Sequence, residues 1–293
     1  MSQWIFEVYR QKESLVKKTY TRKTVLVAGS NALFGIDSRM LAKAFEMPVL
    51  NDGVNAGIEL PCILHEAKKV IREGDIVIMP LEYPMYSYDG TPGMQMIDYI
   101  LSREPECFLQ LTLKEQFYIL WHVRFQRLWD GYFHSDSQMP TTGLYGVQHI
   151  NAYGDQTHTS RKERTAAFYK EVLGYAKHPQ KYGAAFDTQA LGWKYLTQFV
   201  QWCRQKKVTV VFMPSTLMYN STYRQNPQER WFYEHIASEI RKRGWTFVGN
   251  PYDYMYPQEM YFNTNFHLID AARKKRTLQM IKDLRDCKCL NNI

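Results

Sequence analysis

One serine in this sequence stands where a buried strand gives way to a helix, a position from which a hydroxyl can act as a nucleophile. Residues 25–38 are typical of a β-strand that ends in an exposed Gly29-Ser30-Asn31 turn and opens a helix. At such a turn the Ser30 hydroxyl meets the sheet edge, where nearby backbone N–H groups can point toward a reacting carbonyl. Serine is also a preferred helix cap. The motif alone therefore leaves a nucleophile and a helix cap as equal alternatives.

A histidine near the end of the chain is the candidate general base. His267 follows the last predicted strand and precedes the last predicted helix. In a doubly wound sheet this loop lies near the carboxyl edge of the first strand, so that His267 can reach Ser30. A single loop histidine is most often structural, but the joint placement of the two residues favours a catalytic role for both.

The elements that must position these residues alternate between short apolar strands and amphipathic helices. The sequence predicts strands over 24–28, 48–51, 75–81, 208–213 and 245–248. It predicts helices over 4–18, 38–45, 58–72, 111–129, 188–206, 228–243 and 270–286. This β-α-β alternation is typical of a doubly wound, mainly parallel sheet, here five-stranded and flavodoxin-like.

The pattern fits one α/β domain over residues 21–287, preceded by an amphipathic helix within residues 1–20. Residues 84–186, after the third strand, are rich in Tyr, Trp, His and Gly and lack strand alternation. Because this stretch is too long for a loop, we expect a large, mostly helical insertion. The carboxyl ends of parallel strands carry ligand sites, so the insertion is expected to wall the site.

Composition narrows the classes of function. The chain has 293 residues and a formal net charge of +8. Such a charge is compatible with anionic neighbours but is more often that of ordinary solvated helix faces. No nucleic-acid-binding module is visible, and no nucleic-acid partner is expected. Phosphate-binding Gly-rich motifs are absent, and the histidines lack metal-ligand spacing, so neither a cofactor nor a metal is predicted. The five cysteines form no CxxC pair, and their odd number argues against a disulfide framework.

Taken together, the motifs resemble the SGNH/GDSL hydrolase superfamily. They are most similar to its Gly-Ser-x-x-x-x-Gly branch, which is linked to cell-envelope polysaccharide acylation and includes alginate-acetylation and D-alanyl-transfer proteins. The resemblance covers residues 24–83 and 186–287. By position, Ser30 corresponds to the nucleophile, His267 to the catalytic base and Gly53, which follows the second strand, to an oxyanion-hole glycine.

Two positions depart from that family pattern. The family has an oxyanion-hole asparagine after the third strand, where this chain has Pro80-Leu81-Glu82-Tyr83, and Asn55 is the candidate replacement donor. The family's acid precedes the histidine by three residues, and here that residue is Thr264.

The missing acid leaves several catalytic arrangements open. Asn263, four residues before His267, can orient the imidazole, but it does not stabilise an imidazolium as a carboxylate does; in a serine triad, Asp→Asn costs about four orders of magnitude in rate. The residues allow a Ser30–His267 dyad, a contribution from Glu82 or Asp52, or weak catalysis.

The resemblance implies an acyl esterase or O-acyltransferase that acts on a cell-envelope or secreted polysaccharide through an acyl-enzyme. The alternative is a catalytically inactive carbohydrate-binding or assembly protein on the same fold. The resemblance further implies an extracytoplasmic location and a membrane acyltransferase as a partner. No signal peptide and no run of 18 apolar residues are visible, although the abrupt amphipathic start is compatible with an upstream anchor that has been removed. Aromatic loops near residues 83–88 and 252–257 suit a carbohydrate groove or simple loop packing.

Overall fold

The computed structural model describes residues 2–17, 22–123 and 143–287. Five parallel strands form the central sheet in the order β2-β1-β3-β4-β6. They are β1 (Thr24–Leu26), β2 (Val49–Asn51), β3 (Ile76–Met79), β4 (Thr209–Phe212) and β6 (Thr246–Phe247). The predicted parallel sheet is confirmed, and its strand order is the flavodoxin-like one. Each observed strand is shorter than its prediction.

A second, two-stranded parallel sheet was not predicted. It pairs β5 (Leu217–Met218) with β7 (Met255–Tyr256). The prediction that the strand near residue 245 is the last one is therefore wrong, because β7 stands between that strand and His267. Two-residue strands within an aromatic segment carry too little alternation to be recognised from sequence.

The helices follow the predicted alternation. They are α1 (Gln3–Lys17), α2 (Ser30–Gly35), α3 (Ser38–Phe45), α4 (Glu59–Val70), α5 (Met94–Ser102), α6 (Leu113–His122), α7 (Ala166–Lys177), α8 (Leu191–Gln205), α9 (Thr222–Gln225), α10 (Pro227–Lys242) and α11 (Asp270–Asp286). Helices α5 to α7 lie between β3 and α8. Of the helix predicted over 111–129, residues 124–129 lie outside the described part of the chain.

The strands β1, β2 and β3 are buried along their whole length. On the other side of the sheet, β4 exposes Thr209 and β6 exposes Thr246, each at the first residue of the strand. Runs of Val and Ile suit the buried strands, since a strand buried on both faces needs no polar alternation. The registers Leu26↔Asn51 and Leu26↔Ile78 bring the residues that follow β1, β2 and β3 to one edge.

The N-terminal helix α1 packs into the domain. Its apolar residues Ile5, Val8, Tyr9 and Val16 are buried in the hydrophobic core. The Lys12 side chain is also buried, and its ammonium donates to the Gly53 carbonyl at 2.6 Å. The apolar face of α1 thus packs against the hydrophobic core of the protein.

A disulfide joins Cys62 of α4 to Cys107, which follows α5. Cys203 is buried with a free thiol. In the part of the chain that the structure describes, no helix combines the length and apolar character that a bilayer crossing requires.

Candidate functional site

A cavity of about 500 Å³ opens at the carboxyl edge of the sheet. Ser30 and His267 both line it, and so does Glu82, which follows β3. The segment between β3 and α8 also contributes to the wall, as the sequence leads one to expect. The lining residues from that segment are Pro84, Met85, Tyr88, Gln95, Tyr145, Tyr175 and Gln180.

Ser30 is the first residue of α2, and its hydroxyl does not cap that helix. The N-cap residue is Gly29, which has no side chain to bond the helix end, and Ser30 follows it inside the helix. Instead, the buried Glu82 carboxylate accepts from the N–H of Gly29 through Oε2 and from the N–H of Asn31 through Oε1, both at 2.9 Å. Of the two alternatives for Ser30, the helix cap is therefore excluded, and its hydroxyl has no hydrogen-bond partner among the described residues.

Gly29 is required at this turn because there is no room for a side chain. A Cβ at this position would lie 2.6 Å from Glu82 Oε1 and 2.7 Å from Ala56 Cα. The φ of Gly29 is −83°, so its backbone is not in the left-handed region. The close approach of Glu82 and Ala56 thus selects glycine by space, not by backbone conformation.

Arg276 of α11 holds the same turn from the other side. Its guanidinium donates to the Asn31 carbonyl at 2.8 Å and to Asn31 Oδ1 at 2.9 Å, and Asn31 Nδ2 donates to the Pro80 carbonyl. Arg276 is fully buried, and burial lowers its pKa. The backbone around Ser30 is therefore fixed by a carboxylate on one side and a guanidinium on the other.

His267 is held by its ring. Its Nδ1 bonds Asn263 Oδ1 at 2.7 Å, and the ring stacks on Phe34 with centroids 4.1 Å apart. Because an amide oxygen only accepts, Nδ1 carries the proton and Nε2 keeps its lone pair. Burial lowers the pKa of His267 to about 3, so the ring is neutral near pH 7 and Nε2 can accept a proton. Within the described residues, no hydrogen bond joins His267 to Ser30.

Asn263 and Thr264 have different tasks in the loop before His267. Asn263 Nδ2 donates to the Tyr145 hydroxyl at 2.9 Å, which fixes the orientation of the amide. Thr264 Oγ1 accepts from the N–H of Phe266 and of His267 at 3.1 and 3.2 Å. Asn263 is thus the orienting partner of the imidazole, and Thr264 shapes the turn.

Two donors are available to a developing oxyanion. The Ser30 N–H has no acceptor among the described residues. Asn55 lines the cavity and uses its Oδ1 to accept from Gly57 N–H at 2.6 Å, so its Nδ2 is left to donate. Backbone and amide donors of this kind stabilise tetrahedral intermediates.

Gly53 and Asp52 lie behind the site and are not lining residues of the cavity. The Gly53 N–H donates to Asn51 Oδ1 at 3.1 Å, and a Cβ on Gly53 would lie 2.6 Å from the Gly29 carbonyl oxygen. Gly53 thus allows close packing against the serine turn. Asp52 is buried, and burial raises its pKa while the nearby Lys12 lowers it. The pKa shift of His267 has burial as its cause and no carboxylate as a contributor.

Glu59 is a lining residue that the sequence analysis did not single out. It starts α4 with a φ of 59°, in the left-handed region. One of its carboxylate oxygens, Oε1, accepts from Gly93 N–H at 2.9 Å, while Oε2 is buried without a partner among the described residues. An acid in the first turn of a helix is ordinary, so Glu59 is not recognisable from the sequence as a residue that lines a cavity.

A possible metal-ligating group lies elsewhere. His65, Glu104 and Glu106 could offer three ligand atoms to one ion. Glu104 already forms an ion pair with Lys69 at 2.8 Å and bonds His65 at 3.3 Å. These contacts account for the cluster as an ordinary ion-pair network.

The chain was also compared with known proteins. No protein-family model, no curated protein and no solved structure matches it.

Proposed function

We propose that this protein is an SGNH-type acyl esterase or O-acyltransferase that acts on a cell-envelope or secreted polysaccharide. One observation carries the proposal. Ser30, with an unbonded hydroxyl, and His267, with a neutral ring whose Nδ1 is held by Asn263, line a single cavity at the carboxyl edge of a flavodoxin-like sheet.

In the proposed reaction, Ser30 Oγ attacks the acyl carbonyl as His267 Nε2 takes its proton. The oxyanion accepts from Ser30 N–H and Asn55 Nδ2. The tetrahedral intermediate collapses, His267 returns the proton to the leaving alcohol, and the acyl group stays on Ser30. Attack by water then gives an esterase, and attack by a sugar hydroxyl gives a transferase.

The cavity wall supports a saccharide as the substrate. Tyr88, Tyr145, Tyr175 and Phe266 line it together with the amides of Gln95 and Gln180. Aromatic rings offer apolar faces to the C–H surface of a sugar, and amides donate to and accept from its hydroxyls. The volume of about 500 Å³ lies within the range of small-molecule sites.

An extracytoplasmic location and a membrane acyltransferase partner belong to the same proposal. The Cys62–Cys107 disulfide supports the location, because such bonds persist in oxidising compartments.

The test uses p-nitrophenyl acetate, with and without an acceptor saccharide, and mass spectrometry of the intact protein. We expect turnover and a covalent acetyl adduct on the wild type, and neither on Ser30→Ala. Ser221→Ala is the matched control, since Ser221 is exposed and its side chain does not cap α9. Background turnover and no adduct in wild type and Ser30→Ala alike would refute catalysis.

The second candidate function is a catalytically inactive carbohydrate-binding or assembly protein. The observation that favours it is the amide partner of His267, which leaves an imidazolium without a carboxylate. Saccharide binding that survives the double substitution Ser30→Ala and His267→Ala, with no adduct on the wild type, would support this function over the first.

A further inference from the structure

The cavity is acidic although the chain is basic. The chain carries a formal net charge of +8, yet the charged residues among the described lining residues are Glu59 and Glu82, and none is a Lys or Arg. His267 adds no positive charge near pH 7, because burial lowers its pKa to about 3. A ligand that enters this cavity therefore meets carboxylates and no compensating cation from the described lining.

The two carboxylates differ in how many of their oxygens already accept a hydrogen bond. Both oxygens of Glu82 are engaged by the backbone N–H groups of Gly29 and Asn31. Glu59 uses only Oε1, with Gly93 N–H, and its Oε2 is buried with no partner among the described residues. A buried acceptor without a partner is destabilising, because it has lost its contact with water and gained no donor in return. Glu59, which lines the cavity, thus carries a buried acceptor that lacks a donor among the described residues.

The backbone at Glu59 is also unusual. Its φ of 59° is positive, a strained conformation for a non-glycine residue, and such residues are concentrated at ligand-binding sites. Gly93 leaves room for the carboxylate, because a Cβ there would lie 2.8 Å from Glu59 Oε1. Glu59 thus combines a positive φ, a close approach to Gly93 and an oxygen without a partner among the described residues.

We propose that Glu59 Oε2 accepts a hydrogen bond from a hydroxyl or ammonium group of a bound saccharide, and that the cavity admits neutral or cationic saccharides while it rejects anionic ones. This rests on the proposed function, since it assigns a saccharide to the same cavity. An anionic saccharide is rejected because its carboxylate would face Glu59 and Glu82 without a cation to pair with. Burial raises the pKa of Glu59 to about 7. Its carboxyl group is therefore only partly ionised at pH 7, and it becomes a stronger hydrogen-bond acceptor as the pH rises above 7.

The test is a binding measurement on the full chain with Ser30→Ala, so that no ligand is turned over. Cellotetraose, its fully deacetylated chitosan counterpart and the cellouronate tetramer form a matched neutral, cationic and anionic series for calorimetric titration near pH 7. We expect the neutral or cationic ligand to bind at least about tenfold more tightly than the uronate. Adding Glu59→Gln should weaken the favoured ligand about tenfold, because Gln keeps an oxygen for Gly93 N–H but puts a donor in place of Oε2.

Glu234→Gln is the matched control, because Glu234 is exposed on α10. It should leave all three affinities unchanged. Equal loss of cellotetraose and chitosan binding in Glu59→Gln assigns a hydroxyl donor, and a selective loss of chitosan binding assigns an ammonium. Uronate binding as tight as that of the other two, unchanged binding in Glu59→Gln, or no binding of any of the three overturns the proposal.

The acetyl adduct on Ser30 from p-nitrophenyl acetate involves no saccharide and tests the chemistry separately. An adduct without saccharide binding would overturn the Glu59 subsite and leave catalysis standing. Saccharide binding that depends on Glu59, without an adduct on Ser30, would support the Glu59 subsite and overturn catalysis.

Discussion

The Ser30 turn and the His267 loop are held by different kinds of contact. The Ser30 turn bonds two buried charged groups. The Glu82 carboxylate accepts from the N–H groups of Gly29 and Asn31, and the Arg276 guanidinium donates to the Asn31 carbonyl. The His267 loop is held by neutral groups, namely the amide of Asn263 and the ring of Phe34. The Ser30 turn is therefore fixed by buried charges, whereas the His267 ring is oriented by neutral groups alone among its described contacts. This difference predicts which substitutions destabilise the protein and which would raise the proposed activity.

The largest effect is expected at Glu82, the carboxylate that holds the Ser30 turn. Glu82→Leu leaves the N–H groups of Gly29 and Asn31 buried without acceptors, at about 1–3 kcal/mol each. We expect a loss of about 2–6 kcal/mol in the free energy of unfolding, measured with urea. Glu234→Leu on the exposed face of α10 is the control and should stay within about 0.5 kcal/mol. A Glu82 variant as stable as the control would contradict the assigned support.

A gain in the proposed activity is expected when the partner of His267 becomes a carboxylate. Asn263→Asp keeps an oxygen for His267 Nδ1 and adds the carboxylate that stabilises an imidazolium. The Tyr145 hydroxyl can turn to donate to it, since a phenol both donates and accepts. We expect kcat/KM for p-nitrophenyl acetate to rise about tenfold to a hundredfold, within the larger span that separates Asp from Asn in serine triads.

Asn250→Asp is the control for that gain, because Asn250 is exposed and its side-chain oxygen accepts from the N–H of Tyr252 in the same way. It should leave kcat/KM unchanged. A folded Asn263→Asp protein with unchanged or lower activity would show that the imidazolium is not what limits the reaction.

The buried histidine predicts a pH dependence of stability. In the unfolded chain His267 takes up a proton below its ordinary pKa of about 6.5, but in the folded protein its pKa is lowered to about 3. The unfolded state therefore binds more protons as the pH falls from 6.5 toward 3, and stability declines over that window. Between pH 7 and pH 5, wild type should lose about 2 kcal/mol more than His267→Gln, by urea unfolding. Parallel losses would contradict a neutral, buried imidazole.

The smallest effect is expected at the turn before His267. Thr264→Val removes the acceptor for the N–H groups of Phe266 and His267, whose bonds are long. We expect a loss of about 1 kcal/mol and a modest fall in kcat. Thr246→Val, on an exposed strand position, should change neither. A large loss of kcat with little loss of stability would assign Thr264 a direct role instead.

The sequence predicted the frame of the site well. Buried runs of Val and Ile predict the parallel sheet, and parallel strands bring their carboxyl ends to one edge. For that reason Ser30 and His267, which lie 237 positions apart in the sequence, line the same cavity. The prediction did not extend to β5 and β7, because two-residue strands leave no periodic signal.

The hydrogen-bond partners of the polar groups around the cavity could not be predicted from the sequence. Glu82 could be read as an acid and Gly53 as an oxyanion donor, but Glu82 holds the serine turn and the Gly53 N–H is taken by Asn51. Glu59 gave no signal at all. A hydrogen-bonding group has several possible partners, and which one it takes depends on distances set by packing between elements far apart in the chain.

The sequence by itself thus determined the strand–turn–helix that presents Ser30 and the loop that carries His267, since β-branched runs and turn residues act locally. Only the tertiary structure decided that Asn263 orients the imidazole, that Glu82 and Arg276 hold the Ser30 turn, and that one oxygen of Glu59 has no partner among the described residues. The physical reason is that hydrogen bonds and pKa shifts depend on burial and on angstrom-scale distances, which exist only once the helices have packed on the sheet.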